Sequence, residues 1–368
     1  MSIVGARPNM MKIAPLLAEL RLHKEIEPVL VHTDQHYDYS MSQVFFDQLR
    51  LPQPDYNLEV GPGEHFAQTA DIMRRFGELV QRDRPDMVVV AGDVNSTLAC
   101  ALVAAKERIP VAHVEAGLRS FNRRMPEELN RITTDHLSEV LFAPTQTAIA
   151  NLATEGLQAR ALLTGDVMYD AVLFNSQVTQ SRSAILADLK LAAGEYGIVT
   201  VHRAENTAAH ELRALLQAIN DAAERFGRIV FPMHPRTAAV LQSDLSDWRP
   251  AANLMLTPPL GYLQMLALIQ GANWVLTDSG GLQKEAFFLN CPCVTLRDET
   301  EWLETLQDDA NRIAGSDGAR LLEILSALAQ RPKRLFDRPA SANNGPFGSG
   351  HAAERIVEAI CDLCELHL

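Results

Sequence analysis

Short, continuously apolar runs alternate with longer stretches of helical spacing along almost the whole chain. The runs predict strands at Ser2 to Gly5, Pro28 to Thr33, Asp86 to Ala91, Pro110 to Val114, Val140 to Ala143 and Arg160 to Thr164. A second series follows at Tyr196 to Val201, Arg228 to Met233, Asn253 to Leu256, Trp274 to Thr277 and Cys291 to Leu296. Apolar runs without polar alternation mark strands covered on both faces. Strands separated by helices make right-handed βαβ units and therefore parallel sheets. Two such series predict an α/β protein of two Rossmann-like, doubly wound domains facing each other across a cleft. The expected domains are 1–172 and 173–350, followed by a final helix over 351–368. The polar stretch Asn175 to Ser183 lies at the first boundary, and the turn-rich SANNGPFGSG (Ser341 to Gly350) precedes the last helix.

Length supports the division, since 368 residues are long for one core. A composition of 47% hydrophobic and 21% charged residues is that of a soluble globular protein. No apolar run reaches the roughly 18 residues of a membrane span. The opening MSIVGARPNMMK lacks the pattern of a signal peptide, so a cytoplasmic protein without a membrane partner is expected. The formal charge of −13 excludes nucleic acid as a partner, because binding phosphate backbones needs concentrated positive charge. A small anion remains compatible, since a few Arg, Lys and helix N-termini make a local positive pocket. Five cysteines, an odd number, do not make a disulfide framework. Cys291 and Cys293 lie in an apolar run, and Cys361 and Cys364 share a helix face with only His367 nearby in sequence. Reduced, buried thiols are expected there, and no metal site.

In open parallel sheets ligands bind beyond the carboxyl ends of the strands. Functional residue types cluster there. After the first strand come Gly5-Ala6-Arg7-Pro8 and then Lys12, a turn that either meets an anion or simply links strand to helix. Asp93 follows the third strand, in GDVNST, and Glu115 follows the fourth, in HVEAGLRS. Buried carboxylates are costly unless paired or functional. Glu127 and Glu128 open the helix PEELNR, where acidic residues also suit the macrodipole, and Asp93 alone reads equally as a helix cap. Capping does not explain three carboxylates converging on one edge. In the second series, His202-Arg203 and His234-Pro235-Arg236 end strands, and each pairing of histidine with arginine favours an anionic ligand. Thr277-Asp278-Ser279-Gly280-Gly281 ends another and opens a helix whose free N–H groups suit a diphosphate. Glu285 sits about one and a half turns into that helix, where a carboxylate can take two ribose hydroxyls.

In order along nearly the whole chain, GARPNMMKIAPL, GDVNSTLA, HVEAGLRS, MPEELNRITTDH, TGDVMYDA, VTVHRAEN, HPRT, TDSGGLQKEA and RDETEW resemble the non-hydrolysing UDP-N-acetylglucosamine 2-epimerases. The resemblance implies two Rossmann-like domains in the GT-B arrangement, the site in the interdomain cleft, and the final helix packed back on the first domain. It implies a homodimer that epimerises carbon 2 of a UDP-2-acetamido sugar by elimination and re-addition of UDP, with no cofactor and no metal. Residue by residue, it makes Asp93, Glu115 and Glu127 the acid/base carboxylates and adds His202 to the catalytic set. Arg7, Arg131, Ser279, Gly280, Gly281 and Glu285 match positions that hold UDP, and Lys12 and His234 match further substrate-binding positions.

The chain also departs from the pattern. Thr33-Asp34-Gln35-His36 stands where the family commonly has T-G-Q-H, a neighbourhood some bacterial members use to bind a second, activating UDP-sugar. That regulation is not carried over. RDETEWLETL resembles the branch that includes epimerases of UDP-2,3-diacetamido-2,3-dideoxyglucuronic acid, so two sugars stay open. Ser349 stands where the family usually has Asp. A hydrolysing relative, a glycosyltransferase of the same fold and a non-catalytic sugar-nucleotide sensor are the rival readings. The last two do not require the Asp93, Glu115 and Glu127 set.

Overall fold

The computed structural model describes residues 1–35, 51–178, 183–330 and 345–367, without the side chains of Arg7, Pro8 and residues 177, 178, 183 and 364–367. His36, the segment 37–46 after it and the first four residues of the SANNGPFGSG turn lie outside the described residues. The chain divides into two compact units, 1–173 with 341–368, and 174–340.

The first unit is built on a seven-stranded parallel sheet. Its strands are β1 (Ser2–Val4), β2 (Leu30–His32), β3 (Tyr56–Asn57), β4 (Val88–Ala91), β5 (Val111–Val114), β6 (Val140–Ala143) and β7 (Ala161–Leu163). Their order is β3-β2-β1-β4-β5-β6-β7, so the winding direction reverses between β1 and β4. The second unit repeats the plan with β8 (Tyr196–Thr200), β9 (Arg228–Pro232), β10 (Leu254–Thr257), β11 (Val275–Thr277), β12 (Cys293–Thr295) and β13 (Asn311–Ile313). Their order is β10-β9-β8-β11-β12-β13, with the reversal between β8 and β11. Both sheets are entirely parallel.

The continuous apolar runs have their physical cause in the second sheet. Val199, Leu276 and Val294 enter one core, whereas Ile198, Val230, Val275 and Cys293 enter the core on the opposite face. Every eleven-strand expectation has its counterpart, trimmed by a residue or two at the ends. Two strands were not foreseen, Tyr56–Asn57 and Asn311–Ile313. Both are short, partly polar edge strands and so carry no apolar run. Cys100, Cys291 and Cys293 are buried, while Cys361 is only half-buried. No helix among the described residues is long and apolar enough to cross a membrane.

Residues 345–348 dock on the first unit through backbone, Asp166 N donating to Phe347 O at 3.0 Å. Gly165 permits this approach, since its φ is +92° and a Cβ would lie 3.0 Å from that carbonyl. The helix Ala352–His367 then starts against Asp170, whose Oδ2 accepts from Ala353 N at 2.8 Å. Burial raises the Asp170 carboxyl to about 6, against the pull of the Ala352 and Ala353 amides. A carboxyl whose folded pKa is raised stabilises most below its unfolded value of 3.8, and that contribution is lost as pH rises towards 6. Asp170→Asn keeps an acceptor without the charge. It is expected to melt higher than the wild type at pH 7.5, by about 1–2 kcal/mol, with the gap closing below pH 4. Thermal melts of both proteins across pH 4–8 check this, and parallel curves would refute it.

Candidate active site

In the first unit the chemistry gathers where the winding reverses. Asn9 ties the two strand ends together: its Oδ1 accepts from Ala6 N, and its Nδ2 donates to Ala91 O at 2.6 Å. The helix Arg7–Leu20 carries Lys12 behind Gly92 to Glu115, with Nζ 2.6 Å from Oε1. Both side chains are buried. Gly92 leaves room for this, because its φ is +66° and a Cβ would lie 2.6 Å from Lys12 Nζ. Glu115 itself has φ +70°, a left-handed conformation costing about 1–3 kcal/mol for a non-glycine residue. Its surroundings impose it: Glu115 N and Ala116 N both donate to Phe142 O.

Beside it, Asp93 Oδ2 is paired with Arg131 Nη2. Arg131 is buried on the helix Pro126–Leu137 and also reaches Glu128 Oε2 at 3.2 Å. Glu128 is buried and accepts from Ser120 N, Ser120 Oγ and Phe121 N, so it organises the loop before the helix. Its neighbour Glu127 is half-buried.

Behind these groups lies a buried ionic network. The fully buried His113 holds Asp135 Oδ1 through Nδ1 at 2.7 Å and Gly92 O through Nε2 at 2.8 Å. Asp135 Oδ2 accepts from Gly117 N and Arg119 Nη1. Arg119 is clamped on its other side by Glu155 at 2.7 Å. Burial alone would push the Asp135 carboxyl up, but His113 and Arg119 together hold it below the usual range.

In the second unit Asp278 is the organising group at the reversal. Its Oδ2 accepts from His202 N and Arg203 N, each at 2.9 Å, and from Asn206 Nδ2 at 3.2 Å. Its Oδ1 lies 2.9 Å from His202 Nδ1. Burial opposes ionisation of Asp278, and the His202 contact with the backbone donors overrides it, so its pKa lies below normal. His234 stacks obliquely on His202, ring centroids 5.3 Å apart, and caps the helix Pro235–Ser243 by accepting from Arg236 N. Arg236 Nη1 donates to His202 O at 3.0 Å.

Ser279 caps the helix Gly280–Phe288, its Oγ accepting from Leu282 N. Gly280 is closely covered: a Cβ would fall 2.8 Å from Glu301 Oε1. Gly281 is half-buried, and Lys284 and Glu285 are buried one turn further on. Lys284 Nζ lies 3.7 Å from the Trp302 ring centroid, a cation over an aromatic face. Glu301 in turn pairs with Arg297 at 2.9 Å.

The structure thus brings Lys12, Asp93, Glu115 and Arg131 together in one unit. It brings His202, His234 and the Asp278–Ser279–Gly280 turn together in the other. The Arg7 side chain lies outside the described residues. Sequence reasoning missed Asp135, His113, Arg119, Glu155 and the Lys284–Trp302 pair, and placed Asp278 only within the turn before a helix. Its one available signal was burial of charge at Lys284, whose neighbours one turn away are Gly280, Gly281, Phe287 and Phe288; Asp135 shares its helix with the buried polar residues Glu128, Asn130, Arg131 and Thr134.

A family model described as UDP-N-acetylglucosamine 2-epimerase matches residues 18–361. A UDP-N-acetylglucosamine 2-epimerase homolog of Methanococcus maripaludis is 44% identical over 98% of this chain and 99% of its own. The UDP-2,3-diacetamido-2,3-dideoxy-D-glucuronate 2-epimerase of Pseudomonas aeruginosa is 40% identical over 99% of both chains. Among solved structures, Methanocaldococcus jannaschii UDP-GlcNAc 2-epimerase in complex with UDP-GlcNAc and UDP superposes with a TM-score of 0.89, at 38% identity and 98% of both chains.

Proposed function

The chain belongs to the UDP-N-acetylglucosamine 2-epimerase family, and from that premise we propose that it inverts carbon 2 of UDP-N-acetylglucosamine, giving UDP-N-acetylmannosamine. The observation that carries this reading is a pair of carboxylates, Asp93 and Glu115, on neighbouring strand ends, each clamped by its own cation. Inversion at a carbon carrying hydrogen needs proton removal from one face and delivery to the other, hence an acid/base group for each. A carboxylate takes the carbon 2 proton as the bond from carbon 1 to the β-phosphate oxygen breaks and its electron pair leaves with UDP. The product is a 2-acetamidoglucal with a double bond between carbons 1 and 2. A proton then enters carbon 2 from the opposite face, and the UDP oxygen re-adds at carbon 1.

In this reading Asp93, Glu115 and Glu127 do the proton work, and Asp278 orients His202 through Nδ1, so that its Nε2 serves as the working nitrogen. Ser279, Gly280 and Gly281 present helix N–H groups to the diphosphate, and Glu285 takes the ribose. Lys12, Arg131, Arg7 and His234 complete the substrate contacts and balance the charge of the departing UDP. The enzyme works in the cytoplasm as a homodimer, without cofactor.

Incubation with UDP-N-acetylglucosamine in deuterium oxide, followed by proton NMR, tests the proposal. A UDP-linked manno product with deuterium at carbon 2 is expected. Free N-acetylmannosamine plus UDP would transfer the chain to the hydrolysing reaction. Inertness towards this sugar with turnover of UDP-2,3-diacetamido-2,3-dideoxyglucuronic acid would replace the substrate, a result consistent with the RDETEW segment.

The Lys12–Glu115 pair has a local test. Gly92→Ala is expected to lower stability by about 1–2 kcal/mol through its left-handed backbone. The new methyl also displaces Lys12 Nζ, so kcat should fall about tenfold and UDP affinity should weaken with it. Urea unfolding and steady-state kinetics measure the two effects separately.

A further inference from the structure

The C-terminal helix meets the first unit at a group of side chains that the reaction does not use. His23 stands in the turn after the helix Arg7–Leu20, and Cys361 lies on the helix Ala352–His367. His23 Nδ1 is 3.7 Å from Cys361 Sγ and 3.2 Å from Glu25 Oε1. The three ligand atoms all lie within 4.8 Å of one another. His23 Nε2 faces Glu19 Oε1 at 3.6 Å.

We propose that His23 Nδ1, Glu25 and Cys361 Sγ form a zinc-binding site that fastens the C-terminal helix to the first unit. Zinc–ligand bonds of about 2.3 Å to sulfur and about 2.0–2.1 Å to nitrogen or oxygen, at tetrahedral angles, require ligand atoms about 3.3–3.6 Å apart. The two His23 distances, 3.7 and 3.2 Å, bracket that range, and all three ligand atoms lie within 4.8 Å of one another. Glu19 stands 3.6 Å from the second ring nitrogen, on the side where a metal-bound histidine takes its outer partner. One imidazole, one thiolate and one carboxylate suit zinc among the divalent cations, with water in the fourth position. On binding, the Cys361 thiol releases its proton to solvent and coordinates as thiolate.

Sequence spacing hides such a site, since His23 and Cys361 are 338 residues apart. The other described thiols do not compete. Burial pushes Cys291 up to about 12 and Cys100 and Cys293 higher still, so none is a thiolate at neutral pH.

Cobalt(II) titration of the reduced, metal-stripped full chain tests this, because a thiolate-to-cobalt charge-transfer band reports sulfur ligation directly. One cobalt per chain with that band is expected, displaced by one equivalent of zinc. Cys361→Ser should abolish the band, and His23→Gln should weaken binding at least tenfold. Cys364→Ser should leave the band intact. Zinc should also raise the melting temperature of the wild type and not of Cys361→Ser. Absence of the band in the wild type, or its survival in both Cys361→Ser and His23→Gln, overturns the proposal. Epimerase turnover of these variants provides the check that each is folded.

Discussion

Glu115→Gln and Asp93→Asn are each expected to lower turnover by on the order of 10²–10⁴-fold, the range that a positioned acid/base group supplies. UDP affinity should change by less than about threefold. The substitutions keep shape and an acceptor oxygen, so Lys12 Nζ keeps a partner in Glu115→Gln, as Arg131 does in Asp93→Asn. What they remove is the ability to take a proton. The two variants also distinguish the half-reactions. If the carboxylates serve opposite faces of carbon 2, one variant should still exchange the carbon 2 proton of one epimer with deuterium oxide while failing to interconvert the two. Isothermal titration with UDP separates lost chemistry from lost binding. Turnover near the wild-type level in both variants would remove these residues from the mechanism and leave Glu127 and His202 as the groups to test.

Much of this arrangement was legible in the amino-acid sequence, and the part that was not has a physical cause. Strands buried on both faces announce themselves as continuous apolar runs, as Val88–Ala91 and Val140–Ala143 do. Edge strands escape because they need not be apolar, and Asn311–Ile313 is one. At the site, the position of a residue just after a strand flagged Asp93, Glu115, His202 and the Ser279–Gly280 turn, because parallel sheets collect function at that edge. Pairing was invisible. Lys12 was taken as a substrate contact, and only the fold carries it across to Glu115, 103 residues away. Local pattern likewise did not separate Glu127 from Glu128. Adjacent helical positions point in directions about 100° apart, and the loop at Ser120–Phe121 engages Glu128 while leaving its neighbour half-exposed.

Asp135→Ala should be among the most destabilising single changes in the first unit, by about 3–5 kcal/mol in urea unfolding, because it strips the buried Arg119 guanidinium, the His113 ring and the Gly117 N–H of their shared acceptor. Asp135 binds His113 Nδ1, Gly117 N and Arg119 Nη1, and both its oxygens are occupied. Arg119 keeps Glu155, which accepts from Nε and Nη2 at 2.7 Å each, but that carboxylate is partly exposed and leaves Nη1 without its acceptor on Asp135. Asp135→Asn should be damaging too, since its amide NH₂ must face either an imidazole or the donors of Gly117 and Arg119. Acid pH gives a second readout. The folded pKa of Asp135 is depressed, so its contribution is present above the unfolded value of 3.8 and lost as pH falls below it. The stability gap between wild type and Asp135→Asn should therefore narrow below pH 4. The network also borders the chemistry: His113 Nε2 engages Gly92 O, one residue from Asp93, and Gly117 N lies two residues beyond Glu115. Any folded fraction of Asp135→Asn should accordingly show a lower kcat, since the left-handed turn at Glu115 loses one of its anchors. A gap below 1 kcal/mol, unchanged with pH, would show that Asp135 does not hold this edge of the sheet together.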